Sequence, residues 1–280
     1  MNKTFVAAIA MAVAFSACQQ ASEVEEAKGN KELSFHLDFQ VDQTEFSRGV
    51  LDGFATALEV YDYQDGVIAN RISQTSADDD FGSVSFVADF GSHELLFVAH
   101  NSTTCTYDYE NSSLSFDKVL DTFTYYQTLE VDEETSGSLN VSLGRQVSCL
   151  SLKMLDAMPE GAAGMEITID GYSATLDPKT GIGSAGVEHV RDWAIPTSAI
   201  GTSNNLFTVY TFLPDDEDHT VDMTVRLHDS EDENLSYFTL EDVPVKKNRK
   251  TIVSGRVVSA GFAPTISLNS AWGDNVDVTF

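Results

Sequence analysis

Leu33-Ser34-Phe35-His36-Leu37-Asp38-Phe39-Gln40-Val41 alternates without a break: every odd position is apolar and every even position is polar. Successive side chains of an extended chain point to opposite faces. A period of two over nine residues therefore predicts a strand with one face on a core and the other in water. The inward face carries Leu33, Phe35, Leu37, Phe39 and Val41, while His36 falls on the solvated face. At ~1.5–3 kcal/mol for each fully buried side chain, this strand represents roughly 7–15 kcal/mol of burial, an upper bound.

The same style continues downstream. Val60-Tyr61 and Val67-Ile68 flank Asp65-Gly66, a turn pair that predicts a hairpin. Two more strands are expected around Gly91-Ser92, from Val84 to Phe90 and from Glu94 to Ala99, and another at Leu139 to Leu143. Phe116, Val119 and Leu120 sit at helical spacing, so Ser115 to Thr122 reads as one short helix. In the second half, strands are expected at Val147–Leu155, Met165–Ile169, Leu206–Leu213, Val221–Leu227, Tyr237–Leu240, Thr251–Val258 and Val276–Phe280. Short, turn-bounded strands at regular spacing predict an all-β chain of two tandem β-sandwich domains, residues 33–145 and 146–280.

Upstream, Lys3 precedes an apolar run from Phe5 to Ala14 that ends in Phe15-Ser16-Ala17-Cys18. The run is too short to span a bilayer and reads as a secretory signal over residues 1–18. Its ending resembles a bacterial lipobox, with Phe15 where leucine is usual. That resemblance implies lipidation of Cys18 and an outer-membrane tether. Residues 19–32 are polar and acidic and read as a flexible linker. Their position also resembles the surface-export signal of Bacteroidetes lipoproteins.

A formal net charge of −28 repels phosphate, which argues against nucleic acid as a partner, while 42% hydrophobic residues suffice for a core. Besides Cys18 there are only Cys105 and Cys149, either one disulfide or two small buried residues.

No motif carries catalysis. Gly181-Ile182-Gly183-Ser184-Ala185-Gly186 matches G-x-G-x-x-G, but no amphipathic helix follows it, so it reads as a glycine loop and not as a dinucleotide site. The six histidines are scattered and there is no Cys-x-x-Cys or His-Glu-x-x-His. The acidic runs at Asp78-Asp79-Asp80, Asp215 to Asp218 and Asp229 to Glu233 lack EF-hand spacing and read as loop tips. No enzyme activity, cofactor or metal is expected.

Three segments carry a family resemblance. Val141 to Leu152 contains Leu143-Gly144-Arg145-Gln146-Val147, followed by Asp156-Ala157-Met158-Pro159. Val243-Pro244-Val245-Lys246-Lys247-Asn248-Arg249-Lys250-Thr251 leads to Gly255, and Leu58 to Asp62 precedes Asp65-Gly66. In that order they resemble the fimbrillin superfamily of Bacteroidetes, with its L-x-R-x-V strand, D-x-x-P turn and V-P-x-K-x-N stretch. The resemblance implies two transthyretin-like β-sandwiches and a fimbrial stalk or anchor subunit at the cell surface. It also implies assembly with other fimbrial subunits by strand exchange: a cut after an arginine frees the first strand, and a strand from a neighbour replaces it. Here Arg48, in Phe46-Ser47-Arg48-Gly49, is the candidate cleavage site. Val276, Val278 and Phe280 mark the candidate donor strand, an alternation that equally suits an internal strand. The alternative function is a surface lipoprotein that binds a glycan or a host protein, through aromatics such as Trp193, Trp272 or Tyr125-Tyr126.

Overall fold

The computed structural model describes residues 29–40, 54–184, 186–215, 217–258 and 264–269, and among these the backbone is mostly extended. The first nine strands are β1 (Asn30–Gln40), β2 (Ala57–Gln64), β3 (Val67–Thr75), β4 (Ser83–Asp89), β5 (Gly91–His100), β6 (Cys105–Asp108), β7 (Ser113–Phe116), β8 (Thr122–Val131) and β9 (Ser138–Arg145). There follow β10 (Val147–Met154), β11 (Ala162–Tyr172), β12 (Thr175–Asp177), β13 (Ile182–Gly183), β14 (Val187–Ala194), β15 (Asn205–Phe212), β16 (His219–Asp229), β17 (Asn234–Val245), β18 (Lys250–Gly255) and β19 (Thr265–Asn269). The one helical turn among the described residues is a 3-10 turn at Thr197–Ala199. The chain is all-β, and its sheets pack as β-sandwiches.

A seven-stranded sheet has the order β3-β2-β5-β8-β9-β1-β4. The β8–β9 ladder in it is only Phe123↔Arg145 and Thr124↔Gly144. The sheet turns a corner there, and β9-β1-β4 folds over β3-β2-β5-β8. Phe35 of β1 thereby lies 5.1 Å, centroid to centroid, from Phe97 of β5. Leu33, Phe35, Leu95, Phe97, Phe123 and Leu143 fill the space between the two layers.

The unalternated run Leu95 to Ala99 in β5 is buried on both faces. Leu95, Phe97 and Ala99 face that first core, while Leu96 and Val98 face a second one with Leu114, Leu176 and Phe212. A four-stranded sheet, β13-β12-β7-β6, lies over this second face. It mixes strands from both halves of the chain, with Leu176 opposite Leu114. Beyond it, β15-β10-β18-β19 and β14-β11-β16-β17 enclose a core that includes Leu152, Met154, Ile167, Val225 and Val253.

Local chemistry explains most of these elements. The β2–β3 hairpin turns at Asp65 and Gly66, with φ of 52° and 77°. Two successive positive φ values match the right-handed twist of the flanking strands, and aspartate and glycine tolerate them best. The strands flanking Gly91-Ser92 form, but they do not pair with each other: β4 pairs with β1, and β5 with β2 and β8.

The short helix expected from Ser115 to Thr122 is absent. Ser113–Phe116 is strand β7, the chain bends at residues 117–118, and Phe116 and Val119 both pack into the second core. Serine and aspartate are poor helix formers, so pairing of β7 with β6 and β12 outweighs a weak local preference. The strand starting at Leu33 instead starts at Asn30, so residues 30–32 of the expected linker are strand.

Candidate functional site

The resemblance directs attention to β1 and the groove that holds it. The strand lies between β4, antiparallel, and β9, parallel. Its alternation sends Leu33 and Phe35 into the core at 0% and 2% exposure. Phe35 stacks on Phe86 at 5.2 Å, and Phe39 meets Phe123 edge-on at 4.5 Å. Burial is uneven along the strand, however. Leu37 and Phe39 are half-buried, and Val41 lies outside the described residues. The two fully buried side chains account for about 3–6 kcal/mol, less than the sequence alone suggested. His36 is exposed, as its place on the polar face requires.

The two ladders are also offset. β4 spans Asn30 to His36, and β9 spans Ser34 to Gln40. Among the described strands, both neighbours flank only Ser34, Phe35 and His36. Beside the middle of β1 is a cleft of about 920 Å³, lined by Ser34 to Asp38, by Phe81 to Ser85, and by Asn140 to Ser142. The Phe39 amide donates to the carboxylate of its own neighbour Asp38, at 2.8 Å.

The wall formed by β4 is fixed by a buried pair that sequence reading did not single out. His93 and Asp62 are both fully buried. His93 Nε2 donates to the Asp89 carbonyl at 2.7 Å, and Nδ1 lies 2.7 Å from Asp62 Oδ1. Asn70 Nδ2 donates to the other Asp62 oxygen at 2.8 Å. This ties the end of β4 to β2, β3 and β5. The two residues are 31 apart, so only the fold joins them.

The other motifs resolve as architecture. Arg145 of the L-x-R-x-V strand donates to both oxygens of Asp121, at 2.8 and 3.0 Å, and covers the Phe123 ring at 4.6 Å. Asn248 of the later motif, at φ 55°, donates its amide to the Val147 carbonyl. The Arg145 guanidinium lies 3.4 Å from the Asn248 side-chain oxygen, so the two motifs meet. Asp156 of the D-x-x-P turn accepts the amides of Val257 and Val258.

The G-x-G-x-x-G run joins β12 to β13 and β14, with no helix after it. Its glycines answer to packing. A Cβ on Gly181 would meet Lys247 Nζ at 2.7 Å, one on Gly183 would meet Phe212 Cβ at 2.9 Å, and one on Gly186 would meet Gly171 backbone at 2.6 Å.

Cys105 and Cys149 are free and buried. Burial pushes their thiols up to about 12 and about 11, which disfavours the nucleophilic thiolate. Of the aromatics, Trp193 packs on Phe207 at 5.6 Å, Tyr125 bonds to Gln127, and Tyr126 bonds to Glu94. Among the described residues no group of three or more His, Cys, Asp or Glu is placed to hold a metal. Cys18, Arg48, Trp272, Val276, Val278 and Phe280 lie outside the described residues.

The sequence profile of a family of unknown function (DUF6562) matches residues 86–280. No curated protein matches the chain. Solved structures share the fold at low identity. A chain from Bacteroides ovatus named as a candidate adhesin gives a TM-score of 0.53 at 13% identity, over 87% of this chain and 95% of that one. A chain from Bacteroides thetaiotaomicron VPI-5482 named among candidate polysaccharide-binding proteins (DUF1812) gives 0.54 at 9%, over 86% and 96%. A candidate adhesin from the same organism gives 0.52 at 8%, over 87% and 97%.

Proposed function

We propose that this chain, which belongs to the DUF6562 family, is a cell-surface adhesion protein of fimbrillin type that joins other fimbrial subunits by β-strand exchange. The observation that carries the reading is β1 itself. Among the described residues it is the first strand, it is an interior strand, and described strands flank it on both sides over only three residues. A chain cut at Arg48 would hold β1 by non-covalent contacts alone, and its loss would leave a groove between β4 and β9 with apolar walls. Such a groove favours another alternating strand in the same register. The candidate adhesins that share the fold support a role in adhesion, and the signal segment with Cys18 supports a lipid tether at the outer membrane. The reading requires no catalysis.

Glycan binding is the second reading, in line with the name of one structural neighbour. The described aromatics favour it less, because Trp193, Tyr125 and Tyr126 are engaged with other side chains. Arginine-specific proteolysis followed by gel electrophoresis separates the two. A ladder of multimers supports strand exchange, whereas intact monomers that bind a glycan array support the second reading.

A further inference from the structure

The seven-stranded sheet begins at β3 and ends at β4, and its corner at β8–β9 brings these two ends together. They form the mouth of the first sandwich. No described ladder joins them: β3 pairs with β2, and β4 with β1. Side chains cross the mouth instead. Gln74 Nε2 donates to the Ser83 carbonyl at 2.9 Å and to the Asp80 carbonyl at 3.2 Å. Asn70 Nδ2 donates to the Val87 carbonyl at 3.2 Å, and His93 Nε2 to the Asp89 carbonyl at 2.7 Å.

These acceptors follow a pattern. Backbone groups alternate sides along a strand. Phe86 lies opposite Leu33, and the Phe90 amide donates to the Gly29 carbonyl just ahead of β1, at 2.8 Å. Val84, Phe86 and Ala88 therefore turn their backbone groups to β1, and Ser83, Ser85, Val87 and Asp89 turn theirs away. Three of those four outward carbonyls accept from a side chain. The Ser83 amide is engaged as well, donating to the Asp80 carbonyl at 2.8 Å. An added strand would have to bond these same groups and lie where Gln74 and Asn70 stand.

The caps are themselves held in place. Gln74 is buried, and its Oε1 accepts the Gly82 amide at 3.0 Å. Asp62, fully buried, accepts from Asn70 at 2.8 Å through one oxygen and meets His93 Nδ1 at 2.7 Å through the other. One carboxylate thus aims two of the three caps. Ile72, between Asn70 and Gln74 on β3, packs on the first core. Buried amides with every bond directed hold one geometry, which a row of mobile surface side chains would not.

We propose that Gln74, Asn70 and His93, with Asp62 behind them, shut the outer edge of β4 to strand addition. The occupant kept out is the same edge of a second copy, which a two-fold axis would bring antiparallel onto β4. This closure belongs to the intact chain. Its consequence for assembly rests on the strand-exchange reading: once β1 leaves, β4 accepts an incoming strand in the β1 lane and not on its other side.

Asn70→Thr combined with Gln74→Thr tests it, in the uncleaved full chain carrying Cys18→Ala. Threonine favours strands but is too short to cross the mouth. In sedimentation velocity over a dilution series, the folded double variant should self-associate ~10-fold or more tightly than its parent, because several backbone bonds become available. Adding Ser85→Pro, which removes an outward amide that β1 does not use, should cancel that gain. A folded double variant that associates no more than its parent would overturn the proposal. So would a gain that Ser85→Pro leaves unchanged, or a parent whose own association Ser85→Pro abolishes. Should the double variant not fold, Asn70→Thr alone, with Gln74 and its loop intact, gives the same reading. No cleavage at Arg48 is involved, so failure here leaves the strand-exchange reading standing.

Discussion

Arg145 grips Asp121 at two points, Nε to Oδ1 at 2.8 Å and Nη2 to Oδ2 at 3.0 Å, with the arginine side chain almost wholly buried. The pair sits where β9 leaves the seven-stranded sheet and β10 begins the next. Burial holds the Asp121 carboxyl above its ordinary value even though Arg145 opposes that shift. The pair therefore owes its presence to geometry at the junction more than to favourable desolvation.

Arg145→Met should destabilise the protein by about 3–5 kcal/mol at neutral pH, because Asp121 is left buried and uncompensated. Urea unfolding measures the loss. A carboxyl whose folded pKa is raised favours the folded state at low pH, and that favour is lost as pH rises through the folded value. The variant's deficit should accordingly be smaller at pH 4 than at pH 8. A deficit under 1 kcal/mol, or one that grows on acidification, would count against a buried uncompensated charge.

Glu94 gives a second, opposite pH signature. Its carboxylate accepts from Lys179 at 2.6 Å, Tyr126 at 2.6 Å and Tyr109 at 2.8 Å, which joins β5 to the β12–β13 turn. The Lys179 bond, then that of Tyr126, pulls the Glu94 carboxyl down to about 2. A depressed carboxyl stabilises above the ordinary value of 4.5 and loses that contribution as pH falls through about 2. Glu94→Gln should cost about 1 kcal/mol at pH 7, since the cluster is partly exposed. The gap between wild type and variant should close between pH 4.5 and pH 2, followed by urea midpoints. A constant gap would mean that the carboxylate charge is not what matters.

Gly186→Ala should cost about 1–3 kcal/mol, since its Cβ would press on the Gly171 backbone. Thermal melts read that loss, and calorimetry of the wild type with NAD should show no saturable heat. An alanine variant as stable as the wild type, or a micromolar NAD site, would refute the packing account of this glycine run.

Cys18→Ala should abolish fatty-acid labelling, because only the cysteine thiol accepts the diacylglycerol. Undiminished label on the variant would place the anchor elsewhere.

The regular strands were legible because their signals are local. The alternation from Leu33 to Phe39 and the Asp65-Gly66 turn need no distant partner. β8 was missed because Thr122 to Thr128 mixes polar and aromatic residues that pack on two different cores. β14 carries the exposed Val190 and packs through Trp193, so its apolar signal is thin. The site was less legible than the fold. That β1 lies parallel to β9, about a hundred residues on, follows from the sheet's path and not from either segment. Likewise, Asp121 gives no sign in sequence that it neutralises Arg145, 24 positions away.

The central claim is that β1 is a replaceable strand. Its most direct test is size-exclusion chromatography of the soluble protein after confirmed cleavage at Arg48, with and without residues 276–280. Strand exchange predicts loss of the β1 peptide and growth of oligomers in the full-length sample, and no growth in the truncated one. A cleaved protein that remains a folded monomer, with β1 still bound, would contradict the account.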